Sequence, residues 1–311
     1  MMSPRPSSTA TGVACGLGAY LAWGFIALYF KLLTDRGVDP APMLAHRVVW
    51  STLFCGALVL VVGAAGEARR VLVDRRKILA LSASAALIAA NWLAFIHSVH
   101  IHQLGQSALG YYVNPLLSVL LGAVVLRERL RAVEWLSVLL AAVGATVIVL
   151  SRGGLPWIAV TVAVTFSLYG LLRKQIAVSA VVGLAVETAL LSPLALVYLG
   201  VHAGDGAVYS GGVYGLLILS GVVTAVPLLL FAQAARALRL STMGFLQYLA
   251  PTCQLLVATF LLREPITASQ LAGFGCIWAG LLLFTAVAAR SRSTVTAARV
   301  APSAPAAGAP N

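Results

Sequence analysis

The chain has 311 residues, of which 60% are apolar and only 10% charged, with a mean hydropathy of +0.96. A water-facing domain carries about 25% charged residues, so this composition excludes a soluble fold and indicates an integral membrane protein that has the lipid bilayer as its solvent. The net charge of +12 does not indicate a nucleic-acid partner, because the basic residues fall in short clusters between apolar runs rather than on one polar face.

Residues 1–11 are polar, contain Pro4, Arg5 and Pro6, and read as a short cytoplasmic segment. The apolar run after them is too long for a signal peptide, lacks a clear cleavage site and is followed by further runs, so it reads as a first membrane helix. A crossing helix needs about 20 apolar residues. On that scale ten spans are expected, over 12–33, 41–64, 77–98, 104–126, 133–151, 155–172, 180–200, 212–234, 241–262 and 268–289. Residues 290–311, rich in Ala, Pro and Ser, read as a disordered cytoplasmic tail. Cys15, Cys55, Cys253 and Cys276 all sit in apolar runs with no short Cys/His spacing, which fits buried apolar side chains better than a disulfide framework or a zinc site.

The basic residues set the orientation. With a cytoplasmic N-terminus, one side of the membrane holds Arg5, the cluster Arg69 to Lys77, Arg127, Arg129, Arg131, Arg173, Lys174, Arg236, Arg239 and the three arginines after residue 289. The other side holds only Lys31, Arg36, Arg152 and Arg263, and Arg47 falls inside a span. This asymmetry follows the positive-inside rule and puts both termini in the cytoplasm, which requires an even number of spans.

The chain also contains one unit twice. A shift of 136 positions lays Tyr112 on Tyr248, Pro115 on Pro251, Leu126-Arg127-Glu128 on Leu262-Arg263-Glu264 and Gly144 on Gly280. Matched Pro, Tyr, Arg-Glu and Gly at one offset indicate a duplication, with repeats over 12–152 and 153–289. Five spans per copy is an odd number, so the second copy crosses in the opposite direction. The expected architecture is therefore an all-α integral membrane protein with ten transmembrane helices in two inverted five-helix repeats. Secondary transporters are commonly built this way, with the site near the midplane between the repeats; channels use inverted repeats too.

Each repeat ends in a Gly-containing helix after a Glu corner: Glu128-Arg129-Leu130, Trp135 and Gly144 in the first, Glu264-Pro265-Ile266, Gln270 and Gly280 in the second. In this the chain resembles the EamA family of the drug/metabolite transporter superfamily. Further stretches are similar to its RarD-type branch. They are Ala45-His46-Arg47 with Trp50-Ser51, Asn91-Trp92-Leu93, Leu109-Gly110-Tyr111-Tyr112-Val113-Asn114-Pro115-Leu116, Phe245-Leu246-Gln247-Tyr248 and Pro251-Thr252. The resemblance spans 12–289 and implies a multi-pass permease of the bacterial inner (cell) membrane, but names no substrate.

Two charges stand well inside spans, Arg47 and Glu187. Burying a charge in a bilayer costs at least ~2.5–3.5 kcal/mol, so both are candidates for a central cavity, with snorkelling to the interface as the alternative for the long Arg stem. Arg47 suits an anionic group and Glu187 a cation or a proton. Pro115 and Pro251 interrupt the hydrogen-bond ladders of spans 4 and 9, and Tyr112, Asn114, Gln247 and Tyr248 beside them are expected to line the same cavity. Asn91 joins them from span 3. His97, His100 and His102 lack a further ligand nearby, so no metal site is expected. Glu128 and Glu264 read as local ion pairs or helix caps. Gly16, Gly18, Gly144 and Gly280 read as sites of close helix contact.

The function expected is a permease that moves a small-molecule substrate by alternating access, with proton coupling and no cofactor. A channel or scaffold is the alternative. An intramembrane enzyme fits less well, since no catalytic residues, neither a nucleophile paired with a base nor two intramembrane Asp, can be picked out. The sequence leaves open the oligomeric state, a homodimer included.

Overall fold

The computed structural model describes residues 9–100, 104–151, 153, 157–202, 209–261 and 267–300. These residues form helices and no strand, and the chain is an all-α membrane protein. The helices are α1 (Thr9–Thr34), α2 (Pro40–Val61), α3 (Ala65–Val73), α4 (Arg75–His100), α5 (Leu104–Val124), α6 (Ala132–Ser151), α7 (Trp157–Gln175), α8 (Ala180–Val201), α9 (Gly211–Ala237), α10 (Leu240–Gln247), α11 (Leu249–Leu256), a π-helical turn (Val257–Leu261) and α12 (Ala268–Val300). Among the described residues, nine helical stretches are long and apolar enough to cross a membrane, with a shorter apolar stretch, Gly110–Val124, inside α5. Leu60, Val61, Leu194, Phe260 and Leu282 are each at least 70% exposed, a pattern suited to lipid and costly in water.

The expected spans match these helices to within a few residues at most ends. Three differences have physical causes. The 65–73 stretch, left between two expected spans, forms the short amphipathic helix α3, which buries Val71 and keeps its arginines out. Its Glu67 accepts the amide of Ser179 at 2.7 Å, and Ser179 caps α8. The span expected over 241–262 is broken at Tyr248, because Pro251 has no amide to donate to Gln247. α12 continues through residues 290–300, which were expected to be disordered. No Gly or Pro interrupts that stretch; residues 301–311 lie outside the described part.

Close contacts depend on small residues. α6 lies against α12, where a Cβ on Gly280 would stand 2.7 Å from the Ser137 carbonyl oxygen and one on Gly144 would press on the backbone of Gly273. Other neighbours occur in matched pairs. α1 packs on α9 as α7 packs on α4, α1 on α11 as α7 on α5, and α2 on α9 as α8 on α4. Three further contacts, α2 with α8, α5 with α10 and α6 with α12, join the two halves directly. The middle of the bundle is aromatic: Trp23 meets Phe166 edge-on at 5.5 Å, and Tyr169 stacks on Phe231 at 5.7 Å.

Candidate functional site

Arg47 sits about 10 Å along α2 from its first residue, Pro40. Its position is set by the approach of α2 to α9, where a Cβ on Gly221 would stand 2.7 Å from the Ser51 amide nitrogen. Ser51 Oγ donates to the Gly221 carbonyl at 3.0 Å, and Arg47 Nε donates to Thr224 Oγ1 at 2.8 Å. Thr224 is itself only 2% exposed, so the guanidinium reaches into the bundle. It lies over the Phe30 ring at 4.5 Å and the Trp92 ring at 5.4 Å. No ion pair of Arg47 occurs among the described residues. Two ring contacts and one hydroxyl return about 1–3 kcal/mol, less than the ~2.5–3.5 kcal/mol that placing the charge in the membrane costs. Beside the guanidinium is a cavity of about 60 Å³ lined by Phe30, Thr34, Pro40, Met43, Leu44, Arg47 and Phe95. This is well below the ~300 Å³ of a small ligand pocket, so a ligand of that size enters only if the walls move.

A string of buried polar side chains leads away from Arg47. Asn91, next to Trp92 on α4, donates to the Val162 carbonyl at 3.0 Å and to Thr165 Oγ1 at 3.2 Å, and Tyr111 reaches its Oδ1 at 3.5 Å. Asn114 donates to the Ala163 carbonyl at 3.0 Å. Ser118 links it to Gln247, with 3.4 Å to each. Asn91, Asn114 and Gln247 are at most 7% exposed. They stitch α4, α5, α7 and α10 together and do not border the Arg47 cavity. Tyr112 and Tyr248 lie elsewhere: both pack against α12, with Tyr112 edge-on to Phe274 at 5.1 Å. Of the two adjacent tyrosines, Tyr111 is the one on the Asn91 side.

Glu187 belongs to a different cluster. It is 1% exposed and its Oε1 accepts from Ser84 Oγ at 2.6 Å and pairs with Arg173 Nη1 at 3.3 Å. Its Oε2 accepts from Tyr169 at 3.4 Å. Arg173, expected with the basic residues on the cytoplasmic side, is only 2% exposed and is a further charge inside the bundle. Gly183, one turn before Glu187 on α8, makes room for it, since a Cβ there would overlap the guanidinium. On α4, Ser84 and Trp92 are separated by about 12 Å of helix, which places the Glu187 cluster well below the Arg47 cavity. The two residues do not pair.

Glu128 is a cap, but for a distant helix. Its carboxylate accepts the Leu240 amide at 2.6 Å, the Ser241 amide at 3.0 Å and the Ser241 hydroxyl at 2.7 Å, at the start of α10. A carboxylate at a helix N-terminus satisfies orphan amides and the helix dipole together. Arg239 closes the corner, 3.7 Å from Glu128 and 3.2 Å from Glu134. Ahead of α4, Asp74 accepts the Arg76 and Lys77 amides, and the Lys77 backbone bond holds its carboxyl below the ordinary value. His97 is exposed against Trp157; His102 and Glu264 lie outside the described residues.

The chain is similar to known proteins over most of its length. Residues 10–150 match the EamA-like transporter family. Protein RarD of Salmonella typhi is 42% identical over 280 residues, covering 89% of this chain and 95% of that protein. An uncharacterized transporter of Pseudomonas aeruginosa is 42% identical over 284 residues, 90% and 95% of the two chains. Another from Bacillus subtilis is 40% identical over 286 residues, again 90% and 95%. A solved crystal structure of a protein superposes with a TM-score of 0.70 over 91% of this chain and 99% of that one at 20% identity, which shows a shared fold. The chain belongs to the EamA-like transporter family, alongside the RarD proteins, and is a multi-pass membrane transporter.

Proposed function

We propose that this chain is a secondary transporter that moves a small metabolite or drug across the bacterial inner membrane by alternating access, and that it is neither an enzyme nor a channel. In this reading ten helices cross the membrane, with α10, α11 and the π-helical turn acting together as the ninth and α3 left outside the count. Both termini lie in the cytoplasm. The halves 12–152 and 153–289 are inverted repeats.

The observation that carries this reading is the matched packing of the two halves, α1 with α9 and α7 with α4 first among the pairs. Inverted repeats place matched contacts at opposite depths, so rocking one half on the other opens one face as it closes the other. The Asn114–Ser118–Gln247 string lies on the α5–α10 contact, where the halves meet.

The sequence holds no Gly-x-x-x-x-Gly-Lys-Ser/Thr loop, so transport runs downhill or on an ion gradient. Proton coupling through Glu187 is our reading of that gradient. Arg173 and Tyr169 hold the carboxylate within the second half, and Ser84 joins it to the first. Proton uptake at Glu187 therefore loosens a contact between halves.

Vesicles reconstituted with the protein and given a metabolite extract test the proposal. Saturable accumulation of particular solutes that follows an imposed pH gradient is expected. Flux that neither saturates nor responds to the gradient identifies a channel.

A further inference from the structure

We infer that the Arg47 cavity takes a monoanionic organic acid, its carboxylate on the guanidinium and its apolar body against the aromatic wall; this rests on the transport reading for the site's role, but not for its binding chemistry. Arg47 is held from several sides. Its Nε is engaged by Thr224 Oγ1 at 2.8 Å, and its plane lies against Phe30 and Trp92. That leaves the edge with Nη1 and Nη2, for which no hydrogen bond occurs among the described residues. Two parallel N–H groups on one edge match the two oxygens of a carboxylate, a pairing that a lysine cannot reproduce.

The rest of the cavity selects the body of the ligand. Phe30, Pro40, Met43, Leu44 and Phe95 present carbon, and Thr34 supplies one hydroxyl. Among the described residues no acidic side chain lines the cavity, so none of them compensates a ligand's positive charge. No second basic side chain lines it either, so a dianion would bring one charge that finds no partner. A flat or branched apolar acid carrying a single negative charge satisfies the guanidinium and fills the carbon-lined space. The cavity has to enlarge to admit it, as the site opens.

Three probes of one shape separate the contributions of charge and body: phenylacetate, its neutral amide phenylacetamide and the cation phenethylamine. The readout is the thermal unfolding midpoint of the purified full chain as each is titrated, since a ligand that binds only the folded state raises it. Phenylacetate is expected to act at a concentration at least about tenfold lower than the amide. Phenethylamine is expected to have no effect, and acetate and inorganic phosphate, which lack the apolar body, to act at least about tenfold more weakly than phenylacetate. Equal potency of acid and amide, or a preference for the amine, overturns the inference. Arg47→Gln removes the charge; it is expected to abolish the preference for acid over amide, and a preference that survives in it places the anion elsewhere. Radiolabelled phenylacetate in vesicles separates the two readings. Binding without flux leaves the site standing and refutes transport, whereas saturable flux with no preference for the acid leaves transport standing and refutes the substrate class.

Discussion

Arg47 and Arg173 are both guanidinium groups held inside one helical bundle, Arg173 fully buried and Arg47 partly exposed, and their surroundings differ. Arg173 meets a carboxylate, Glu187 at 3.3 Å, which Ser84 and Tyr169 also hold. Arg47 has a hydroxyl, two rings and a cavity. In the first region the charge is cancelled by a carboxylate inside the fold, although Arg173 Nε itself meets no hydrogen-bond partner among the described residues. In the second the compensation stops short, and the remaining partner has to come from outside the chain. A buried charge alone therefore does not mark a binding site. The difference between its cost and its internal compensation does.

The largest effect that could break this comparison lies at the paired charge. Glu187→Gln leaves Arg173 buried without its counter-charge, a loss on the order of 3–5 kcal/mol. The double variant Glu187→Gln with Arg173→Leu removes both charges and is expected to recover most of it. Thermal unfolding of the purified proteins reads both. A single variant as stable as the parent removes the structural role assigned to the pair. The double variant also gives the cleaner test of proton coupling, because it keeps the fold and cannot titrate: full accumulation driven by a pH gradient would remove Glu187 from that role.

A smaller effect sharpens the same point. A methyl group at Gly183 would overlap the Arg173 guanidinium, so Gly183→Ala is expected to cost roughly 1–3 kcal/mol by overpacking. In an Arg173→Leu background the penalty should largely vanish, since sites in direct contact are not additive. An equal cost in both backgrounds would mean that Gly183 serves the helix contact and not the arginine.

Much of this was legible in the sequence, and the exceptions follow a pattern. Apolar runs located the helices, because their length is set by the bilayer. Arg47 and Glu187 stood out as charges flanked on both sides by carbon. Arg173 did not, because it lies beside Lys174 at the end of a run, where a basic pair reads as an interfacial anchor. Helix rotation was also out of reach. Tyr111 and Tyr112 differ by about 100° around α5, and only tertiary packing puts Tyr111 beside Asn91 and Tyr112 against Phe274. Glu128 was read as a local cap or pair, while its partners are the amides of Leu240 and Ser241, more than a hundred residues away. α3 escaped notice because its nine residues are too short to cross the bilayer, and only runs of about 20 apolar residues mark a span.

The most direct measurement bears on Arg47, where the expected effect on stability is the smallest. Arg47→Gln removes an incompletely compensated charge, so the protein should unfold at the same temperature as the parent or higher, a gain of at most about 1 kcal/mol. Function should respond in the opposite direction. An untargeted comparison of metabolites inside and outside cells that make the parent protein, the Arg47→Gln variant or neither, at equal membrane levels, reads this whichever solute is carried. The parent is expected to shift a group of apolar organic acids between the two compartments, and cells with Arg47→Gln to match those lacking the protein. A variant whose metabolite pattern follows the parent would contradict the assignment of Arg47 to the substrate.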